Sequence, residues 1–291
     1  MNEDTTTTEL REWQRGGRFF DHSGHRIFYR RAGTGPTLLL VHGYPFSSYE
    51  WSKVWPELTA EFDVVAPDML GMGFSDKPLR HRYSLIDHAD MHEALLRHLG
   101  VRRAAVLSQD LGVSVVQEML ARRLDAPATP SITAAVFLNG GLFPEVYRSR
   151  LIQRVLSSPV GNVVGPMLPD ALIRSAVLDL FGPDTKIPAD ELDTLMRLLR
   201  HNRGKSVSHR VGRFVQERAG LRDRLVRPLR TGDTPLLMIN GALDPNSGAH
   251  MAARYRELVP DPQIVSLARI GHWPQLEAPA DVVRHLREFL R

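Results

Sequence analysis

The run Ala104-Ala-Val-Leu107, followed by Ser108-Gln109-Asp110-Leu111-Gly112 and then by Val113 to Ala121, decides how the chain is read. The first four residues suit a buried strand, and the last nine carry the amphipathic spacing of a helix. Ser108 and Gly112 are small residues placed two before and two after an apex. A strand that turns sharply into a helix there pushes the apex side chain out above the sheet edge, and small flanking residues keep the two elements from colliding. The apex is Asp110, so the pattern is a nucleophile elbow with aspartate in place of serine. A nucleophile at Ser108 would instead put Val106 and Asp110 where glycines belong. Taken alone, the window also fits Asp110 as a plain helix N-cap.

Working outward, Arg18 to Arg31 reads as two short strands around a turn at Ser23-Gly24, and a turn at Gly33-Thr34-Gly35-Pro36 leads into Thr37 to Val41. That last run is apolar on both faces, as in the middle of a sheet covered on both sides. Similar runs recur at Asp63 to Ala66, Ala134 to Phe137, Pro235 to Ile239 and, more weakly, Gln263 to Leu267. Helical stretches lie between them. The clearest starts at Ser84, whose hydroxyl is expected to cap free amides while Asp87 reaches back, and it carries Leu85, Ala89, Leu95, Leu96 and Leu99 before Gly100. Asp281 to Leu290 repeats the amphipathic spacing. Strands alternating with helices predict an α/β protein with a mainly parallel sheet. From about Gly141 to Thr231 the alternation stops, and a helical periodicity broken at Pro144, Pro159, Pro166, Pro169, Pro183 and Pro188 predicts a helical insertion between two strands.

The 291 residues are 24% charged and 43% hydrophobic with 22 Gly and 20 Pro, which excludes disorder, collagen and coiled coil as overall descriptions. No apolar run reaches the roughly 18 to 20 residues of a membrane span, and the start, Met1 to Gly17, is polar and acidic where a signal peptide needs a basic end and an apolar core. The expectation is a soluble, cytoplasmic protein without membrane partners. With 0 Cys there is no disulfide, thiolate metal site or thiol nucleophile. The net charge is +4, but of the 37 Lys and Arg only Lys53, Lys77, Lys186 and Lys205 are lysines, and the arginines are scattered in pairs such as Arg102-Arg103 and Arg122-Arg123. Neither a basic block nor a nucleic-acid motif appears. Gly71-Met-Gly-Phe-Ser75 lacks the third glycine and the Gly-Lys-Ser/Thr ending of phosphate loops, and His22, His25, His81 and His88 show no metal-site spacing. No cofactor and no metal are therefore expected.

A nucleophile needs a base, and the base needs an orienting acid. After the Pro235 to Ile239 run comes Asn240-Gly-Ala-Leu-Asp244-Pro245, and after the last run Gly271-His272-Trp-Pro-Gln275. Nucleophile, acid, histidine is an order in which such triads occur, and both residues fall in loops after strands, on the edge where an open parallel sheet places its ligands. Val41-His42-Gly43-Tyr44-Pro45 directly follows the first long apolar run. Glycine permits a tight turn there, so the amides of Tyr44 and Leu111 are expected to form an oxyanion hole.

From Arg18 onward the chain resembles the α/β-hydrolases with an aspartate nucleophile, the epoxide hydrolase and haloalkane dehalogenase group. The resemblance is carried by His42-Gly-Tyr-Pro45, Asp68-Met-Leu-Gly-Met-Gly-Phe-Ser-Asp-Lys-Pro78, Gln109-Asp-Leu-Gly112, Leu243-Asp-Pro245 and Gly271-His-Trp-Pro-Gln275. Phe137 to Glu145 and Glu93 to Gly100 are especially similar to the mesoderm-specific transcript proteins. What this implies is an α/β-hydrolase fold: a mostly parallel eight-stranded sheet with an N-terminal antiparallel hairpin, residues 1–140 and 232–291 forming the core and 141–231 a helical lid. It also implies a mechanism in which Asp110 attacks a saturated carbon to form an alkyl ester and His272, held by Asp244, activates the water that hydrolyses it.

The leaving group sets the substrate class, and here the sequence departs from the family's patterns. Epoxide hydrolases use two lid tyrosines; this segment contains only Tyr147, and Phe214 stands about where the second is expected. Haloalkane dehalogenases hold halide with a Trp after the nucleophile and a further Trp or Asn, where this chain has Leu111 and Tyr44. Fluoroacetate dehalogenases follow the nucleophile with arginine, which Leu111 again does not supply. Tyr147 is the candidate proton donor, with a packed structural tyrosine as the alternative, and His201 or His209 is a candidate for the second donor. His42 and Trp273 are expected to line the pocket. The expectation is an epoxide hydrolase acting on a small apolar organic molecule and water, as monomer or homodimer, with a haloalkane dehalogenase next. An ester or lactone hydrolase and a non-catalytic small-ligand-binding protein are the competing classes.

Overall fold

The apolar runs become strands of one sheet. In the computed structural model, which describes residues 8–126, 130–158 and 161–291, they are β1 (Gly17–His22), β2 (His25–Ala32), β3 (Thr37–Val41), β4 (Asp63–Pro67), β5 (Arg103–Ser108), β6 (Ser131–Phe137), β7 (Leu236–Gly241) and β8 (Gln263–Leu267). Their order is β1-β2-β4-β3-β5-β6-β7-β8. The pairs β1–β2 and β2–β4 are antiparallel and the others parallel, which is the eight-stranded sheet with a leading hairpin that the sequence predicts.

Why the strands read as unbroken apolar runs is visible at β3. Side chains alternate across a strand, and here both faces are covered. Leu38 and Leu40 enter one apolar layer with Val64, Leu107, Trp51 and Leu286, while Leu39 and Val41 enter the other with Val65, Val106, Leu95 and Val116. The second layer is closed by the helices Leu85–His98 and Leu111–Asp125, the first by the helix Pro279–Leu290.

One local expectation is corrected. Ser84 caps its helix through a 3.1 Å bond from the Asp87 amide, but the Asp87 carboxylate does not reach back; it meets His81 Nε2 at 2.8 Å, an opposite charge when the imidazole is protonated. The polar leader also contains a helix, Thr8–Arg15, because Leu10 and Trp13 sit three apart and bury one face. Trp13 packs edge-on against Tyr49 and Trp55, and Arg30 stacks over its ring at 4.2 Å.

Between β6 and β7 the described residues contain seven α-helices and no strand. The parallel strands end on one edge, so the loops after β3, β5, β6, β7 and β8 emerge together with these helices beside them. β5 lies between β3 and β6, which puts its elbow near mid-sheet. The helix after the elbow lies very close to β3. A Cβ at Gly112 would stand 2.2 Å from the Val41 carbonyl oxygen and 2.7 Å from that of His42. Gly112→Ala is therefore expected to destabilise the fold by about 1 to 3 kcal/mol through backbone displacement. Urea unfolding measures this, and an unchanged midpoint would contradict the close approach.

Candidate active site

The chain passes from Ser108 to Leu111 with Asp110 at φ 45° and ψ −110°, a left-handed conformation in which a non-glycine residue is strained. The strain is held from several sides. The Asp110 amide donates to the Asn139 carbonyl at 2.7 Å, and a Cβ at Gly140 would lie 2.9 Å from the Asp110 carbonyl oxygen. This geometry turns the Asp110 side chain above the sheet edge. Ser108, the alternative nucleophile, is fully buried with its hydroxyl donating to the Val136 carbonyl at 3.4 Å, inside the sheet.

His272 comes to Asp110 from the loop after β8. Its Nδ1 bonds Asp244 Oδ2 at 2.8 Å, and its Nε2 stands 3.9 Å from Asp110 Oδ1. Asp244 also accepts from Ser247 Oγ (2.5 Å), Asn139 Nδ2 (3.1 Å) and the Asn246 amide (2.8 Å), so each side chain of the trio has a fixed orientation. The other carboxylate oxygen, Asp110 Oδ2, accepts from the Tyr44 amide at 3.1 Å, and the Leu111 amide bonds the same carboxylate. Oδ2 thus occupies the cradle drawn from the sequence, and Oδ1 faces the histidine.

The family follows from the whole chain. Residues 36–157 match the model of the alpha/beta hydrolase fold family. The chain is 37% identical to the mesoderm-specific transcript protein of Mus musculus over 295 residues, 97% of this chain and 88% of that protein. The chain belongs to the α/β-hydrolase family. This hydrolase is also 36% identical to LipZ of Mycobacterium tuberculosis over 94% of its own length and 95% of that protein. Among solved structures, the haloalkane dehalogenase DbeA from Bradyrhizobium elkani superposes with a TM-score of 0.80 at 20% identity, covering 93% of this chain and 95% of that one. The haloalkane dehalogenase DatA from Agrobacterium tumefaciens gives 0.80 at 19%, covering 94% and 95%. At such identities the likeness is one of fold.

Electrostatics in this hydrolase are dominated by burial. The side chains of Asp110, Asp244 and His272 are all nearly inaccessible. Burial works against the charged imidazole, but contact with Asp244 and the fields of Asp110 and Glu50 outweigh it and push His272 up to about 9. Burial raises Asp110 against the pull of His272, the Tyr44 amide, Arg218 and the Leu111 amide. Asp244 lies below its ordinary range despite burial, because His272, Ser247 and the Asn246 amide favour its anion.

A cleft open to solvent at its mouth leads to Asp110 and His272. Tyr44, Ser208, His209 and Trp273 line it near the trio, and Leu168, Ile173, Val177, Leu180 and Leu199 form apolar walls. Phe214 lines a smaller adjoining space with Tyr44 and Asp110. Three sequence candidates lie elsewhere. Tyr147 does not line the cleft; its hydroxyl accepts from Gln153 Nε2 at 3.3 Å and Asn246 Nδ2 at 3.2 Å. His201 packs edge-on against Phe74 at 5.0 Å. His42 is fully buried, its Nδ1 donating to the Gly43 carbonyl at 2.7 Å and its Nε2 accepting from the Met69 amide at 2.9 Å, so it braces the loop after β3 and does not line the pocket.

Residues that spacing could not reveal complete the site. Glu50, fully buried, accepts from the Gly43 amide and from Trp273 Nε1, both at 3.1 Å, and so ties the loop after β3 to the histidine loop; burial pushes it up to about 7. Gln109 Nε2 donates to the His272 carbonyl at 3.1 Å. Among the described residues no group of three or more His, Asp or Glu is arranged to hold a metal, and no helix is long and apolar enough to cross a membrane.

The raised His272 makes stability depend on pH. An imidazole of ordinary pKa 6.5 held at about 9 in the fold contributes stability that is fully present below pH 6.5 and is lost as the pH rises through 9. The hydrolase is expected to lose stability across that window in urea unfolding, and His272→Gln, which takes no proton, to lose less of it. Equal losses in both would refute the assignment.

Proposed function

We propose that this hydrolase acts through an alkyl ester on Asp110, with epoxides as its substrate class. The observation that carries the reading is the division of labour in one carboxylate: Oδ2 accepts from the Tyr44 amide, the Leu111 amide bonds the same carboxylate, and Oδ1 faces His272. Oδ1 attacks an epoxide carbon, the carbon–oxygen bond of the ring breaks, and the ring oxygen takes a proton to become a hydroxyl. The Asp110 negative charge disappears in the ester. One of the charges that held the proton on His272 is then gone, so the imidazole ionises less readily and becomes a base. The proton it releases balances the one gained by the ring oxygen.

In the second half His272 takes a proton from water as the hydroxide adds to Asp110 Cγ. The oxyanion forms on Oδ2, where two amides already point. Collapse breaks the Cγ–Oδ1 bond, His272 returns the proton to the leaving oxygen, and a vicinal diol departs with Oδ1. Asp110 keeps the oxygen from water as a carboxylic acid and passes its proton to His272, which restores the carboxylate and the imidazolium of the resting site. The apolar walls of the cleft support a small apolar organic substrate.

The donor for the ring oxygen is drawn from the cleft wall. Tyr44 Oη and Ser208 Oγ lie 2.7 Å apart. The two hydroxyls own two protons and share one, so the other is available to a ligand in the cleft they line. Burial, reinforced by Asp110 and opposed by the Ser208 bond, pushes the Tyr44 phenol up to about 12, so it keeps its proton. Halide is served less well, since the Trp273 indole N–H is engaged by Glu50.

His272→Ala, exposed to epoxides, haloalkanes and activated esters, is expected to gain the mass of a whole epoxide, and Asp110→Asn to gain none. An alkyl gain without halogen moves the assignment to haloalkanes. No adduct, with ester turnover by the native enzyme, overturns the alkyl-ester mechanism. Tyr44→Phe keeps its amide and loses its hydroxyl, and it is expected to slow adduct formation at least about 10-fold. An unchanged rate would remove Tyr44 as donor.

A further inference from the structure

Arg218 is the strangest charge in the molecule. It lies on the helix Phe214–Gly220, only 1% exposed, and it makes no ion pair among the described residues. Its Nε and Nη1 have no hydrogen-bond partner, and the one side chain that bonds the guanidinium is a neutral phenol, that of Tyr147. The guanidinium stacks over the Tyr147 ring at 4.2 Å and stands 5.6 Å from the Phe214 ring. It fits only because residue 141 is glycine: a Cβ there would lie 1.9 Å from Nη1 and 2.1 Å from Cζ. A guanidinium does not shed its proton, and a buried charge without compensation costs several kcal/mol. An arginine placed for packing alone would be paired or would reach solvent.

The carboxylate whose field reaches Arg218 is Asp110. Gly141 and Gly140 carry the two ends of this relation, since Gly140 abuts the Asp110 carbonyl and Gly141 seats the guanidinium. The other groups that act on Asp110 are His272 from the loop after β8, Glu50 from the turn following β3, the Tyr44 and Leu111 amides, and the phenols of Tyr44 and Tyr147. Of these only His272 is cationic, and its charge comes and goes.

We propose that Arg218 is the permanent counter-ion of the nucleophile, a positioning residue that keeps Asp110 an anion when His272 is neutral. The inference deepens the reading above, because a nucleophilic carboxylate must be ionised at the start of each cycle and must re-form beside a histidine that has just given up its proton. Asp110 is wholly desolvated, and the Tyr44 and Leu111 amides alone offset that only in part. Arg218 adds a charge that pH does not remove. It acts at a distance, from a buried position against the Tyr147 and Phe214 rings, where low polarity leaves its field strong.

The test needs no substrate. Protein labelled with ¹³C at aspartate carboxyls, in a His272→Gln background that removes the imidazole charge, reports the Asp110 titration as the signal lost in Asp110→Asn. Arg218→Met is expected to raise the Asp110 midpoint by at least about one pH unit, a tenfold weaker ionisation, and Arg218→Lys to restore most of it. A midpoint unmoved by Arg218→Met, or one that Lys leaves where Met does, assigns Arg218 a structural role and overturns the proposal. Should Arg218→Met fail to fold, Arg218→Lys and the reciprocal change decide. In the His272→Gln background, Asp110→Asn strips Arg218 of its counter-charge and is expected to lower the thermal midpoint; a raised midpoint overturns the proposal. Failure of the mass experiment above would discard the ester chemistry and leave this pairing standing, whereas failure here would leave the chemistry standing.

Discussion

The helix that follows β5 has to begin at once, against β3, and Asp110 carries the consequence. With the helix backbone almost touching the Val41 and His42 carbonyls, the turn has no room for a relaxed linker, and the apex residue is forced to a positive φ. That one constraint lifts a carboxylate off the sheet edge and aims the Leu111 amide at it. It also explains the small residues at 108, 112 and 140, each of which lies where a larger side chain would meet backbone or a packed neighbour. The strain is borne by the sheet, whose apolar layers on both faces leave the elbow nowhere to relax.

Around that apex, loops from four other strands are bound to one another by buried polar contacts rather than by apolar packing. Asn139 spans the β6 loop, the Gly241 backbone and Asp244; Gln109 joins the elbow to His272; Glu50 joins the oxyanion loop to Trp273. Such bonds cost little when every member is satisfied and much when one is lost. They fix the orientation of the Tyr44 amide, the Asp110 carboxylate and the imidazole relative to one another through directional bonds, which apolar contacts do not supply.

The same enclosure sets the charge balance. Three buried carboxylates, Asp110, Asp244 and Glu50, face one imidazole and one guanidinium. Desolvation pushes every one of these groups toward neutrality, and the fields of oppositely charged neighbours push back, while Asp110 adds to the rise of Glu50. The imidazole ends up holding its proton more tightly than free histidine, yet its hold depends on Asp110 being charged. A chemical change at Asp110 is therefore felt at His272 without any movement of the chain.

The strands, their order of appearance and the elbow were legible from the sequence because each depends on a short-range pattern: apolar runs for strands covered on both faces, small residues around Asp110, and loops after strands carrying Asp244 and His272. The interrupted alternation likewise marked the helical segment. What the sequence could not carry is which polar side chains of that segment come to face Asp110. Tyr147 was the natural candidate by type, but it is turned toward Asn246 and Gln153, while Ser208 and His209 reach the cleft and Arg218 lies buried beside it. Helix spacing determines which residues share a face of one helix. Only the packing of seven helices on one another and on the sheet edge determines which face looks inward, and that packing rests on contacts between residues far apart in the chain.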